Sequence, residues 1–196
     1  MTGGIRGIYT AVLLKWIEQK APGFLDRVHL FAGTSTGGIL ALGLAFGLTD
    51  VALRTSATPS YFPSYQDYID GGVVANNPSM AALAQALDDK TGDHILEDVR
   101  LIPFGTGFFP EFIKGRRYNW GLAQWNRPLI ALMPEGSMCV ADYQCKQLLG
   151  DHYHGLSPPL KRPIGLDDAG KVGTFIRYAN EVDIRPTLKW IKGQYF

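Results

Sequence analysis

Cysteine is scarce in this sequence, with only two among 196 residues. Cys139 and Cys145 lie six positions apart in a predicted helix, so their side chains point in different directions and do not suit a disulfide bond. This spacing predicts a protein of a reducing compartment, and we expect a cytoplasmic location.

Long apolar runs are missing as well. No stretch approaches the roughly 18 apolar residues that a membrane-spanning helix needs. The first residues also lack a basic segment followed by a continuous apolar run. We therefore expect neither a membrane span nor a secretory signal peptide.

An excess of one charge is absent too. The formal net charge is +1, with 19% charged and 46% hydrophobic residues. This balance is typical of a globular protein and gives no basic surface that would attract nucleic acid. Internal repeats and linkers are also absent, so the sequence predicts one domain over residues 1–196.

The most informative stretch that is present has the form G-x-S-x-G, from Gly33 to Gly37. An apolar run at 28–32 precedes it and another at 39–46 follows it. This order favours a sharp turn from a strand into a helix, with the Ser35 hydroxyl just ahead of the helix N-terminus. The alternative is a glycine-rich loop that only connects the two elements.

Two further segments could complete a site around Ser35. Residues 1–7 contain three glycines ahead of a helical pattern, and such a loop can turn its N–H groups towards an anion. The alternative there is a plain N-terminal tail. Asp70 ends a short predicted strand and precedes Gly71 and Gly72, which let another backbone approach closely.

The remaining pattern alternates predicted strands and helices, as in an α/β layered domain. Strands are predicted at 98–104 and 152–156, and helices at 8–17, 78–87, 120–132, 136–149, 170–181 and 186–192.

Histidines supply two alternative hypotheses. The order Ser35, Asp70, then His94, His152 or His154 matches the chain order of a Ser-Asp-His triad esterase. His152 and His154 beside Asp151 share one face of a strand, but no further ligands accompany them. We therefore expect surface histidines and no metal site or cofactor.

The sequence resembles the patatin-like phospholipases in three blocks that occur in one order. They are Gly3-Gly4-Ile5-Arg6-Gly7, Gly33-Thr34-Ser35-Thr36-Gly37-Gly38 and Asp70-Gly71-Gly72. Blocks 58–63, 75–78 and 105–107 resemble the family too.

Carried over residue by residue, the resemblance implies Ser35 as nucleophile, Asp70 as base, and Gly3, Gly4, Ile5 and Arg6 as the oxyanion loop. It implies a layered α/β/α fold with a mainly parallel sheet.

The sequence departs from the family pattern in two places. Thr2 stands where the family has its first glycine, after a core strand, and Leu48 and Val51 nearly adjoin where the family has a much longer segment. We therefore expect a patatin-like sheet with fewer strands.

The function implied by the resemblance is a lipid acyl hydrolase with a Ser-Asp dyad. The implied partners are a phospholipid or other acyl ester substrate and a peripheral contact with a membrane. Because missing strands would leave apolar helix faces without partners, we also expect a homo-oligomer. A catalytically impaired remnant or interaction module of the same fold remains the alternative.

Overall fold

The computed structural model of the chain describes residues 4–45, 53–59, 63–109, 120–162, 164–165 and 167–196. Helices dominate these residues. The α-helices are α1 (Gly7–Lys20), α2 (Thr36–Ala45), α3 (Ser79–Leu87), α4 (Leu122–Leu149), α5 (Val172–Asn180) and α6 (Arg185–Tyr195). Short 3-10 helices lie at Gly4–Arg6, Leu25–Arg27, Gly71–Val73, Leu96–Asp98, Gly150–His152 and Ala169–Lys171.

Helix α1 forms where the apolar spacing predicts it. Tyr9, Leu13 and Ile17 follow one another at intervals of four, which places them on one buried face. The helix ends shortly before Gly23, whose φ of +79° suits glycine. The Glu18 carboxylate accepts the Gly23 N–H at 2.6 Å, which holds the chain as it leaves the helix.

The main core joins the two ends of the chain. Its buried members come from α1, α5, α6 and the segments beside them, and they include Leu13, Phe175 and Ile191. The rings of Tyr9 and Phe175 meet edge to face with centroids 6.5 Å apart. The chain therefore depends on contacts between residues far apart in sequence.

Truncating Phe175 to alanine tests this core. Its side chain is fully buried, so we expect the free energy of unfolding in urea to fall by about 3 to 5 kcal/mol. Its neighbour Ile176 is 36% exposed, so Ile176→Ala should cost clearly less. Equal losses for both variants would contradict this description of the core.

A smaller core lies between α3 and α4. Leu83, Cys145, Leu149 and Tyr153 form its buried centre. Both cysteines are free, Cys139 exposed and Cys145 buried. Burial raises the pKa of Cys145 to about 11, so this thiol stays protonated and unreactive near neutral pH.

The prediction of two helices at 120–132 and 136–149 is wrong, because α4 runs without interruption from Leu122 to Leu149. Pro134 lies inside it and contributes no N–H to the helix. Its carbonyl accepts the Asn76 side-chain N–H at 3.2 Å and the Ser137 hydroxyl at 3.0 Å. These contacts satisfy the carbonyl at the position where the sequence pattern indicated a break.

The predicted layered α/β/α fold with a mainly parallel sheet is also wrong. The described residues contain no strand longer than an isolated bridge. Segments 101–108 and 153–159 run parallel and meet at three separate bridges, Leu101 with Tyr153, Phe104 with Leu156 and Phe108 with Pro159. Pro103, Pro158 and Pro159 lack the N–H groups that a continuous ladder needs.

The predicted strand before Ser35 is not formed either. Residues 29–33 make no backbone hydrogen bond to any other residue that the structure describes. A strand exists only with a neighbour to bond to, and this segment has none in the part of the chain that the structure describes. The predicted strand that ends at Asp70 is reduced to a single antiparallel bridge between Tyr65 and Tyr68. Within the described ranges, no helix is long and apolar enough to span a membrane.

Candidate active site

Ser35 occupies a sharp turn immediately before α2. Its φ is +56°, in the left-handed region that residues other than glycine rarely adopt. Its carbonyl accepts the Ile39 N–H at 3.1 Å, so the turn leads directly into the helix. The residue is 3% exposed. Such strain is characteristic of functional turns, and the turn-to-helix geometry is the one that G-x-S-x-G predicts.

Gly33 allows this turn to close. A Cβ atom at Gly33 would lie 2.0 Å from the carbonyl oxygen of Gly37 and 2.6 Å from the nitrogen of Gly38. Both are backbone atoms of the turn and helix start, so they cannot rotate away. A side chain at Gly33 would therefore collide with the backbone of the turn.

Asp70 is 1% exposed and precedes the 3-10 helix Gly71–Val73. One carboxylate oxygen, Oδ1, accepts the Gly72 N–H at 2.8 Å. The other, Oδ2, accepts the Thr58 hydroxyl at 2.5 Å. The Asp70 N–H donates to the Ala57 carbonyl at 2.9 Å. The buried carboxylate therefore has a partner on each oxygen.

The neighbours of Ser35 and Asp70 bring the two turns together. The Thr34 hydroxyl donates to the Ala75 carbonyl at 2.8 Å, and the Thr34 methyl lies 3.7 Å from the place where a Gly71 Cβ would stand. The structure records no hydrogen bond between the Ser35 hydroxyl and the Asp70 carboxylate, although it describes both residues. The turns are thus adjacent without direct pairing of the two side chains.

The glycine-rich loop contacts the Ser35 turn. Gly4, with φ of +40°, begins the 3-10 helix that continues into α1, and its carbonyl accepts the Thr36 hydroxyl at 2.9 Å. Ile5 packs against the main core. The Arg6 guanidinium donates to the Ile164 carbonyl. Gly3 lies outside the described residues, so the predicted oxyanion loop is placed beside Ser35 only from Gly4 onwards.

The histidines of the triad hypothesis lie elsewhere. His154 shares a hydrogen bond with the Thr187 hydroxyl at 2.9 Å and stacks on Trp190 with ring centroids 5.5 Å apart. Burial lowers its pKa. The His94 ring instead lies 6.1 Å from that of His29. Among the described residues, no histidine is hydrogen-bonded to Ser35 or Asp70, and no group of three acidic, histidine or cysteine side chains could hold a metal ion.

A mainly apolar cavity of about 170 Å³ lies behind the Ser35 turn. Gly33, Thr34 and Gly37 border it on one side, and Ile102 and Phe104 on another. Neither Ser35 nor Asp70 lines it.

Sequence reasoning did not identify the roles of Thr55 and Thr58. The Thr55 hydroxyl oxygen accepts the Ser35 N–H at 3.0 Å, and Thr58 bonds to Asp70 as described above. Both lie in the stretch before Tyr61-Phe62-Pro63.

Comparison with known proteins matches residues 2–54 to the family model of the patatin-like phospholipases. Protein Teg of Priestia megaterium is 27% identical over 170 residues, which cover 74% of this chain and 52% of that protein. A cGAMP-activated phospholipase of Pseudomonas aeruginosa is 30% identical over 113 residues, which cover 54% of this chain and 33% of the relative. Patatin-like protein 3 of Arabidopsis thaliana is 26% identical over 130 residues, half of this chain and 30% of that protein.

The chain thus spans about half the length of the first of these relatives, and less of the others. No solved structure matches it. The family match covers both the glycine-rich loop and the Ser35 turn, and the relatives extend the similarity over most of the chain. The comparisons therefore support a member of the patatin-like phospholipase family, with residues 2–54 as the part that the family model matches.

Proposed function

We propose that this chain is a lipid acyl hydrolase that cleaves acyl esters of phospholipids or related lipids, with Ser35 as nucleophile and Asp70 as base. The observation that carries the proposal is the buried serine with φ of +56° directly before a helix, beside a turn that holds a buried carboxylate. Relatives named as phospholipases support a lipid substrate.

The chemistry proceeds in two balanced steps. Asp70 accepts the Ser35 proton as the serine oxygen attacks the ester carbonyl, and the alcohol then leaves with that proton. Water next attacks the acyl-serine and releases the fatty acid, returning the proton to Ser35. N–H groups of the loop from Gly3 to Arg6 stabilise the oxyanion, and the N-terminus of α2 adds its positive dipole.

The proposal also covers the extent of the domain, contact with a lipid surface and self-association. The core joins α1 to α5 and α6, which supports one patatin-like unit over residues 1–196. A phospholipid substrate lies at a lipid surface, so a peripheral contact with that surface is part of the proposal. Association of copies of the chain is a further part, tested by light scattering.

A second candidate is a non-catalytic interaction module. It is favoured by the missing hydrogen bond between the Ser35 hydroxyl and Asp70 in the described structure. In such a module Ser35 would have no activating base.

A fluorophosphonate probe separates the two candidates. We expect covalent labelling of the wild-type chain, located at Ser35 by mass spectrometry, because an activated serine attacks the phosphorus atom. Ser35→Ala should remain unlabelled. Ser64→Ala, at an exposed serine outside the Ser35 turn, is the matched serine control and should label as the wild type does. A folded wild-type chain that stays unlabelled would refute the hydrolase and favour the module.

A further inference from the structure

The segment 53–59 lies between the Ser35 turn and Asp70 and contacts both. The Thr55 hydroxyl oxygen accepts the Ser35 N–H at 3.0 Å. Three residues later, the Thr58 hydroxyl donates to Asp70 Oδ2. Between them, the Ala57 carbonyl accepts the Asp70 N–H at 2.9 Å. One short stretch of chain is therefore bonded to the backbone of the serine and to both the backbone and the side chain of the aspartate.

We propose that Thr58 is the positioning residue for the base Asp70, and that it sets the carboxylate plane relative to Ser35. The inference rests on the proposed function. Thr58 does not touch the reacting atoms, and it acts through the carboxylate.

The need for such a residue follows from the carboxylate's freedom to rotate. Held by the Gly72 N–H alone, Asp70 could turn about its Cβ–Cγ bond, because a single acceptor atom does not define a plane. The Thr58 hydroxyl engages the second oxygen and so fixes the plane. Each carboxylate oxygen can accept two hydrogen bonds, so an oxygen with one partner keeps a lone pair for the Ser35 proton.

Thr55 and Thr58 together also set the distance between nucleophile and base. Both belong to the same stretch, and Ala57 within it is buried. A shift of this stretch moves the partner of Ser35 and the partner of Asp70 at the same time. Productive proton transfer tolerates little error, since a displacement of about 1 Å can lower a rate roughly 100-fold.

The sign of the effect separates positioning from acid strength. A hydroxyl that donates to a carboxylate stabilises its charged form, so removing the donor does not make the carboxylate a weaker base. A slower reaction in a variant without the hydroxyl therefore reports on where the carboxylate points.

The test compares Thr58→Val, which keeps the shape of the side chain, with Thr58→Ser, which keeps the hydroxyl. On a p-nitrophenyl acyl ester we expect Thr58→Val to lower kcat by about 10- to 100-fold with little change in KM. Thr58→Ser should restore most of kcat. Thr174→Val, a half-buried threonine in α5, is the matched control and should leave kcat unchanged.

Two outcomes would overturn the inference. The first is an unchanged kcat in Thr58→Val. The second is a low kcat in Thr58→Ser, although thermal unfolding shows that the serine variant is folded. If Thr58→Val does not fold, Thr58→Cys replaces it, because a thiol is a weak donor. Equal kcat for the cysteine and serine variants then contradicts positioning by the hydroxyl.

Failure of the proposed function has a different signature. Hydrolysis that persists in Ser35→Ala, or a wild-type chain without hydrolysis, overturns both the function and this inference. Ser35-dependent hydrolysis that is indifferent to Thr58→Val overturns the inference alone.

Discussion

Asp70→Asn is expected to lower kcat/KM for ester hydrolysis by about 100- to 10,000-fold, the usual contribution of a general base. Asparagine has the shape of aspartate, and its oxygen can still accept the Gly72 N–H that Asp70 accepts at 2.8 Å. Its NH2 group can donate a hydrogen bond to the Thr58 hydroxyl oxygen. The substitution therefore removes the base while leaving the packing, and circular dichroism should be nearly unchanged. Turnover of a p-nitrophenyl acyl ester is the measurement.

Asp67→Asn is the matched control for this substitution. Asp67 lies three residues away, is exposed and has φ of +65°, a conformation that asparagine also tolerates. Its turnover should equal that of the wild type. The double variant Ser35→Ala with Asp70→Asn should be no slower than Ser35→Ala alone, because the two side chains act as a unit. Wild-type turnover in Asp70→Asn would show that another group is the base.

The second large effect is expected from Gly33→Ala. The added Cβ would lie 2.0 Å from the Gly37 carbonyl oxygen, so the turn must open before the side chain fits. Overpacking of this kind costs about 1 to 3 kcal/mol and occasionally more. The opening would also move Ser35, so we expect at least a 100-fold lower rate of fluorophosphonate labelling. Urea unfolding and labelling kinetics measure the two effects.

Gly136→Ala provides the opposite expectation for the same chemical change. Gly136 lies inside α4 with nothing within 4 Å of the added Cβ. Alanine is the better helix former by about 1 kcal/mol, so this variant should be as stable as the wild type or more stable. Fluorophosphonate labelling of Gly33→Ala at the wild-type rate would contradict the expectation, since it would show that the close packing of the turn is not needed for reactivity.

The helices are the part of the fold that sequence reasoning predicted best. Helix α1 and helix α6 follow from apolar residues at helical spacing, because each helix satisfies its own backbone and needs only one buried face. Gly150, with φ of +52°, ends α4 as its position predicts. Local signals suffice where the hydrogen bonds are local.

The prediction of a sheet was wrong because the hydrogen bonds that a sheet needs are not local in sequence. The apolar character of 28–32 indicates that the segment suits a strand, but only a neighbouring strand can make it one, and residues 29–33 have no such partner among the described residues. The run through Pro103 and the run ending at Pro158 and Pro159 do find one another, yet their prolines limit them to separate bridges.

For the candidate site, the sequence by itself determined the turn around Ser35, because Gly33 and the start of α2 are close in the chain and their steric requirements are local. The roles of Ser35 and Asp70 remain predictions. Only the tertiary structure decided that Thr55 and Thr58 bond to the serine and aspartate turns, and that Thr34 bonds to Ala75. In each of these contacts a side chain bonds to backbone or to another side chain, and the two residues lie 12, 20 or 41 positions apart. No spacing rule predicts them, since they depend on how buried polar groups find partners once the apolar core has closed.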